Sequence, residues 1–153
     1  MKWLELRVPP PLVMAVVAVL MGFAARMLPA LDFPVPARIA LAVALALVGV
    51  LIGVVAIVQF WRARTTPNPM KPHDSSRLVD AGIYRLSRNP MYLGDALLLL
   101  AWALWLANAL AFVGVPLFVA YMNRFQIAVE ERVLQARFGA GYDAYRRAVR
   151  RWI

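Results

Sequence analysis

The chain has 153 residues, of which 63% are hydrophobic and 16% charged, whereas a typical soluble domain is about 45–50% apolar and about 25% charged. This composition argues against a soluble globular enzyme and against a disordered chain. The sequence lacks cysteine, which excludes a disulfide scaffold and a cysteine nucleophile, and its one histidine, His73, excludes a multi-histidine metal site.

Four apolar segments are predicted to be transmembrane helices, since a spanning segment must satisfy its own backbone polar groups. The first covers residues 12–28 and the second covers 39–61, which is long enough to cross a hydrocarbon core of about 30 Å. The third covers 91–107 and the fourth covers 109–125. Because so little chain separates the last two, they are predicted to form an antiparallel helical hairpin.

The net charge of +9 comes from 17 basic and 8 acidic residues, and its distribution predicts the orientation. Six basic residues lie between Arg62 and Arg88 and seven from Arg124 onward, whereas only Arg26 and Arg38 lie on the opposite side. Both termini are therefore predicted to be cytoplasmic, in a protein integral to the inner (cytoplasmic) membrane. The basic charge indicates contact with lipid headgroups and not with nucleic acid, for which the sequence has no motif.

The residues after the fourth span are predicted to form cytoplasmic amphipathic helices. Apolar residues recur there at spacings of three or four, and Gly139 and Gly141 are expected to divide the segment into two helices. The fold class is therefore an all-α integral membrane protein, a single membrane domain over 1–153 with cytoplasmic regions at 62–90 and 126–153.

Two clusters of polar residues lie at the predicted cytoplasmic ends of the third and fourth spans. One is GIYRLSRNPMYLG at 82–94, and the other begins at Glu130-Glu131 and continues through Tyr142 and Tyr145. Because the two spans form a hairpin, the topology should bring the clusters close together in space.

These clusters carry a family resemblance. RNPMYLG, followed by EExxLxxxFGxxYxxYxxxVxR, resembles the C-terminal region of the isoprenylcysteine carboxyl methyltransferases, and phospholipid N-methyltransferases are similar. The resemblance covers about residues 65–153. The first motif is often RHPxYxG, so Asn89 replaces its histidine, and membrane sterol reductases that use NADPH share that motif.

The resemblance implies an S-adenosylmethionine pocket built from the two cytoplasmic regions and open sideways to lipid. The predicted cofactor-binding residues are Tyr84, Arg88, Asn89, Pro90, Tyr92, Leu93, Gly94, Glu130, Glu131, Tyr142 and Tyr145. Arg88 and Glu131 are predicted to take part in catalysis as well, and no metal is predicted.

The residue types suit that cofactor. Arg88 or Arg85 could clamp its carboxylate through two hydrogen bonds, and a glutamate could accept hydrogen bonds from the ribose hydroxyls or the ammonium. An aromatic face beside the sulfonium would contribute about 0.5–2 kcal/mol. Simpler interpretations remain open, because the paired glutamates could only complement a helix dipole and the tyrosines could only pack.

Asp95 lies about one turn inside the third predicted span, where a charge costs up to about 2.5–3.5 kcal/mol. Two interpretations are open for it: a functional acid, or a structural ion pair with Arg88 or Arg124.

The sequence favours a membrane methyltransferase that acts on a membrane lipid or another amphiphilic acceptor, similar to the isoprenylcysteine carboxyl methyltransferases. The alternatives are a phospholipid amine N-methyltransferase, an NADPH-dependent sterol-type reductase and a non-enzymatic four-span protein. Four spans argue against the reductase, which usually has more.

The topology can be tested with reporter fusions. Fusions after Arg64, Pro34 and Ile153 are expected to report the cytoplasm, the outside and the cytoplasm, because the basic loop and tail resist translocation. An outside signal at Ile153 would contradict the four-span topology.

Overall fold

The computed structural model describes residues 5–34, 36–65 and 77–153. These ranges form helices joined by turns, without a β-strand, which agrees with the predicted all-α class. The helices are α1 (Pro10–Met27), α2 (Arg38–Arg62), α3 (Pro90–Leu106), α4 (Ala111–Phe138) and α5 (Ala140–Ala148). Two short 3₁₀ turns lie at Pro29–Leu31 and Gly82–Arg85.

Prolines and a glycine set several helix boundaries. Pro10 and Pro90 stand at the first positions of α1 and α3, where the missing N–H has no intrahelical role. Gly139, with a φ of 49°, separates α4 from α5, so the chain divides at one of the two predicted glycines. Pro116 lies in the first α-helical turn of α4, directly after a 3₁₀ turn, where it is tolerated.

Three described helices, α1, α2 and α4, are long and apolar enough to cross a membrane. Helix α3 is equally apolar but has 17 residues, so the count of four spans stays a prediction. The fourth span was predicted to end at residue 125, whereas α4 continues to Phe138. Hydrophobicity decreases there, but the backbone stays helical through a π-helical segment, Met122–Ile127.

Helix α3 lies at the centre of the bundle and packs against α1, α2 and α4. The shared core consists of Val13, Met21, Tyr92, Ala96, Leu99, Ala103, Ala111, Phe118, Met122 and Ile127. The outer faces of α1 and α2 remain apolar and exposed, with Val19 at 70% and Leu47 at 66%. Such a surface suits hydrocarbon as its solvent and not water.

A buried asparagine joins the two loops at one end of the bundle. The Asn108 amide donates to the Leu28 carbonyl oxygen at 2.9 Å and to an Asp32 carboxylate oxygen at 2.7 Å, and its own oxygen accepts from the Leu110 N–H. The α1–α2 and α3–α4 connections are thereby fixed to each other, which places the polar cluster at 82–94 at the opposite end of α3.

Helices α2 and α3 approach closely through glycines. A Cβ at Gly94 would lie 2.8 Å from the Gly49 carbonyl oxygen, and a Cβ at Gly49 would lie 2.9 Å from that of Gly94. The backbone of the neighbouring helix cannot move aside for such a contact, as the end of a flexible side chain could. The close approach of Gly94 is therefore to α2, while its predicted part in the cofactor site remains a prediction.

Replacing Gly94 with alanine should force α2 and α3 apart and reduce the free energy of unfolding by about 1–3 kcal/mol, the usual cost of overpacking. Gly53→Ala is the matched control, because a Cβ there meets nothing within 4 Å. Thermal unfolding in detergent, followed by circular dichroism, compares the two variants. Equal melting temperatures would contradict the close-packing role of Gly94.

Candidate functional site

Arg88 caps the C-terminal end of α5. Its Nη1 donates to the carbonyl oxygens of Arg146 at 2.9 Å and Val149 at 3.0 Å, and its backbone N–H donates to that of Arg150 at 3.0 Å. The last carbonyls of a helix have no intrahelical donor, so a guanidinium at this end satisfies them and opposes the negative end of the dipole.

Glu131 lies between two guanidinium groups. Its Oε1 accepts from Arg88 Nη2 at 2.8 Å and from Arg151 Nε at 3.1 Å, and its Oε2 accepts from Arg151 Nη2 at 2.6 Å. The side chains of Arg88 and Glu131 are only 10% and 13% exposed. The contact between Arg151 and Glu131 uses both carboxylate oxygens, the strongest geometry for such a pair.

The neighbouring Glu130 has uncharged partners. The Tyr92 hydroxyl and Gln126 Nε2 both donate to Glu130 Oε1, the latter at 2.8 Å. Tyr92 lies in the first turn of α3 and is 6% exposed, while Gln126 lies in the π-helical segment of α4 and is 2% exposed. The first motif and the acidic pair are thus joined twice, by Arg88–Glu131 and by Tyr92–Glu130.

Asn89 and Ser87 hold the last residues of the chain. Asn89 Nδ2 donates to the Arg151 carbonyl oxygen at 2.9 Å, and the Ser87 hydroxyl donates to the same oxygen at 3.3 Å. The Ser87 oxygen also accepts from the Asn89 N–H at 3.1 Å, just before Pro90 starts α3. The residue that replaces the motif's usual histidine therefore orients the tail that carries Arg151.

The turn at Gly82–Arg85 is fixed against α2. Gly82 has a φ of 57°, which favours glycine, and a Cβ there would lie 1.7 Å from the end of the Gln59 side chain, so any other residue would have to displace this amide. Gln59 lies between the Ala81 carbonyl and the Ile83 N–H, and both are satisfied when its nitrogen points toward Ala81. Gln59 is the polar residue near the end of the second predicted span, and it holds the turn that carries Tyr84.

Three predicted tyrosines pack beside the cluster. Tyr142 is 2% exposed, and the Tyr145 hydroxyl donates to the Tyr84 carbonyl oxygen at 2.7 Å. Burial raises the pKa of Tyr142 to about 12, with the Glu131 charge adding to the effect and Arg88 opposing it. Burial also raises the pKa of Tyr84 and of Tyr145. All three hydroxyls therefore stay neutral at cellular pH, and that of Tyr145 acts as a donor.

Two predicted residues lie apart from this network. Leu93 is half-buried on α3, and Gly94 faces the backbone of α2. Both residues face away from the side of α3 that carries Tyr92, because successive residues of a helix turn by about 100°. The hydrogen bonds of the cluster therefore come from Arg88, Asn89 and Tyr92 within the first motif.

Asp95 forms neither of the ion pairs considered for it. Arg88 binds Glu131, and Arg124 lies 3.7 Å from Glu5, so the ion-pair interpretation is wrong. Glu5 also binds Arg132 at 2.9 Å, which holds the described N-terminal residues against α4. His73 lies outside the described residues.

Two residues of the cluster, Gln126 and Arg151, were not among the predicted site residues. Gln126 precedes Glu130 by four residues, a spacing that places two side chains on one helix face, and this signal was available. Arg151 is the last residue of the quoted motif, which marks it among the neighbouring arginines, but only the fold shows its contact with Glu131.

Loss of the Arg88 side chain should destabilise the protein even without a ligand. Breaking a buried ion pair typically costs about 3–5 kcal/mol, because the remaining charge is buried without its partner. Arg88→Ala is therefore expected to lower the melting temperature and to accelerate amide hydrogen exchange in α5. Arg124→Ala is the control, since that side chain is 60% exposed and such pairs contribute about 0–1 kcal/mol. Similar losses in both variants would contradict the capping role.

The family model for phospholipid methyltransferases matches residues 37–141. An uncharacterised protein of Haemophilus influenzae is 52% identical over 63 residues, which are 41% of this chain and the whole of that protein. No solved structure gives a significant match. The family match spans more than half of the sequence and includes Arg88, Tyr92 and both glutamates, so the chain belongs to the phospholipid methyltransferase family.

Proposed function

We propose that the protein is an S-adenosylmethionine-dependent methyltransferase of the membrane that methylates an amphiphilic, lipid-like acceptor. The observation that carries this proposal is the meeting of the two motifs in one buried cluster, where Arg88 contacts Glu131 at 2.8 Å and Tyr92 contacts Glu130. The family to which the chain belongs supports methyl transfer as the reaction.

The chemistry of the cluster fits the cofactor. Arg88 Nε is buried and has no hydrogen-bond partner among the described residues, although buried donors are usually satisfied, so an acceptor such as the cofactor's carboxylate would complete it. Glu131 would accept hydrogen bonds from the ribose hydroxyls or the ammonium, and the rings of Tyr92 and Tyr142 would lie beside the sulfonium. When bound, the cofactor would supply an activated methyl group.

A cleft beside the cluster supports access from the polar end of the molecule. It has a volume of about 440 Å³ and runs along α5, between the helix and the segment that precedes α3. Its lining includes Asp80, Arg85, Tyr145 and Val149. Two of these also contact the cluster, because the Tyr145 hydroxyl donates to the Tyr84 carbonyl oxygen and the Val149 carbonyl oxygen accepts from Arg88. Arg85 and Asp80 are exposed there, so the cleft has charges of both signs at its entrance.

The acceptor is proposed to enter from the bilayer. The exposed apolar faces of α1 and α2 favour lipid around the bundle, and the polar cluster lies at one end of it. Catalysis would depend mainly on positioning the acceptor in line with the methyl group, with Arg88 orienting a carboxylate acceptor. The description of the family favours a second candidate, a phospholipid amine, for which a glutamate would remove a proton.

The proposed location is the cytoplasmic membrane, with both termini and the cluster on the cytoplasmic side, where the cofactor is synthesised and used. The count of basic residues supports this orientation, because most of them follow α2 or lie in the C-terminal half of α4 and beyond.

Binding of S-adenosylhomocysteine tests the proposal. The purified protein should be stabilised by about 2.7 kcal/mol when the ligand is at 100 times its dissociation constant. Glu131→Gln, which keeps the size and removes the charge, should abolish most of this added stabilisation. Glu5→Gln is the control, because Glu5 also pairs with two arginines, Arg124 and Arg132, and neither of them contacts Glu131. Calorimetric titration at low temperature separates lost binding from lost folding, and a wild-type protein that binds no ligand would refute the proposal.

A further inference from the structure

The two adjacent glutamates occupy opposite environments. Glu131 receives hydrogen bonds from Arg88 and from both ends of the Arg151 guanidinium fork. Each of its two carboxylate oxygens is held by a permanent cation. Glu131 is therefore suited to hold the C-terminal tail and to accept hydrogen bonds from a ligand's donors.

Glu130 has the opposite character. Its donors are the neutral Tyr92 hydroxyl and the neutral Gln126 amide, and within the described ranges no arginine or lysine nitrogen lies within 4.0 Å of it. Both donors reach Oε1, so no donor from the described part of the chain reaches Oε2. One oxygen is fixed in position, and the other is left for a group that carries a proton.

Two helices fix the position of this carboxylate. Tyr92 reaches it from α3, and Gln126 reaches it from one turn earlier in α4, within the π-helical segment. Such segments occur often at functional sites. The other titratable groups around Glu130 are Tyr84 in the 3₁₀ turn, Glu131 on its own helix, and Asp95 next to Tyr92 on α3. Apart from the two acids, these neighbours are neutral, and none of them is a cation.

We propose that Glu130 is the proton acceptor of the reaction, acting on an amine acceptor through Oε2, and that Gln126 is a positioning residue that holds Glu130 for this task. This inference rests on the proposed function and assigns different tasks to the two glutamates. A protonated amine has no lone pair for attack, so a base must remove one proton before the methyl group can move.

The step balances as follows. The proton passes from the ammonium nitrogen to Glu130 Oε2, and the N–H electron pair becomes the nucleophile. The new N–C bond forms as the S–C bond of the sulfonium donor breaks, and the sulfur keeps that electron pair and leaves as a neutral thioether. The proton then leaves Glu130 for solvent, so each turnover releases one methylated ammonium, one thioether and one proton.

The test compares Glu130→Gln with Glu131→Gln in vesicles that contain phosphatidylethanolamine. Glu130→Gln should still bind S-adenosylhomocysteine, whereas its rate of methyl transfer from labelled cofactor should fall by about 10²–10⁴-fold at pH 7. Its rate should rise about tenfold per pH unit toward the pKa of the amine, near 10, because the free amine replaces the missing base. Glu131→Gln should lose ligand binding without this pH dependence.

Two further measurements distinguish a base from a merely structural residue. An O-alkyl hydroxylamine lipid, whose nitrogen is already neutral at pH 7, should be methylated by Glu130→Gln at close to the wild-type rate. Infrared difference spectra, recorded with S-adenosylhomocysteine and short-chain phosphatidylethanolamine so that no transfer occurs, should show a protonated carboxyl band in the wild type and not in Glu130→Gln. Gln126→Leu should lower the rate with phosphatidylethanolamine, and Gln126→Asn should restore part of it.

The outcomes separate the two proposals. A wild-type protein that binds S-adenosylhomocysteine but transfers no methyl group to phosphatidylethanolamine overturns the role of Glu130 and leaves the cofactor site standing. An unchanged pH profile in Glu130→Gln, or no recovery with the hydroxylamine lipid, overturns it as well. Absence of ligand binding by the wild type defeats the proposed function itself.

Discussion

A buried carboxylate must be compensated by donors or cations, and this requirement organises the polar end of the molecule. Removing Glu131 from water is costly, so it is stable there only because the guanidinium groups of Arg88 and Arg151 contact it at 2.6–3.1 Å. Those three residues come from the segment before α3, the C-terminal part of α4 and the C-terminal tail. One carboxylate with two ion pairs therefore fixes three distant segments. The cap of α5 depends on the same Arg88 side chain.

Topology explains why so much of this arrangement was predictable from the sequence. A tight hairpin returns the chain to the end of the bundle where it began, so residues preceding α3 and residues late in α4 must meet. Arg88 and Glu131, which are 43 positions apart, meet for this reason. The family resemblance and the predominantly helical class could also be predicted from the sequence. The first depends on motif spacing and the second on apolar periodicity, and neither depends on side-chain packing.

The rest required the folded backbone. Polarity after residue 125 suggested the end of a span, but a helix can continue past its apolar part when its side chains find partners, as Glu130 does with Tyr92 and Gln126. Gly94 gave an ambiguous signal, because a glycine in a motif permits close approach to a ligand and to a neighbouring helix alike. Only the position of Gly49, 45 residues earlier on α2, identifies the contact that the structure contains.

The adjacent residues Glu130 and Glu131 lie in two different environments. Successive residues of a helix point about 100° apart, so the first side chain faces Tyr92 on α3 while the second faces the arginines before α3 and in the tail. Glu131 is paired with permanent cations, whereas Glu130 is surrounded by neutral donors. On this difference rests the proposal that Glu131 serves in binding and Glu130 in proton transfer. A sequence motif records the two acids and not the difference between them, because that difference lies in the residues that each acid meets.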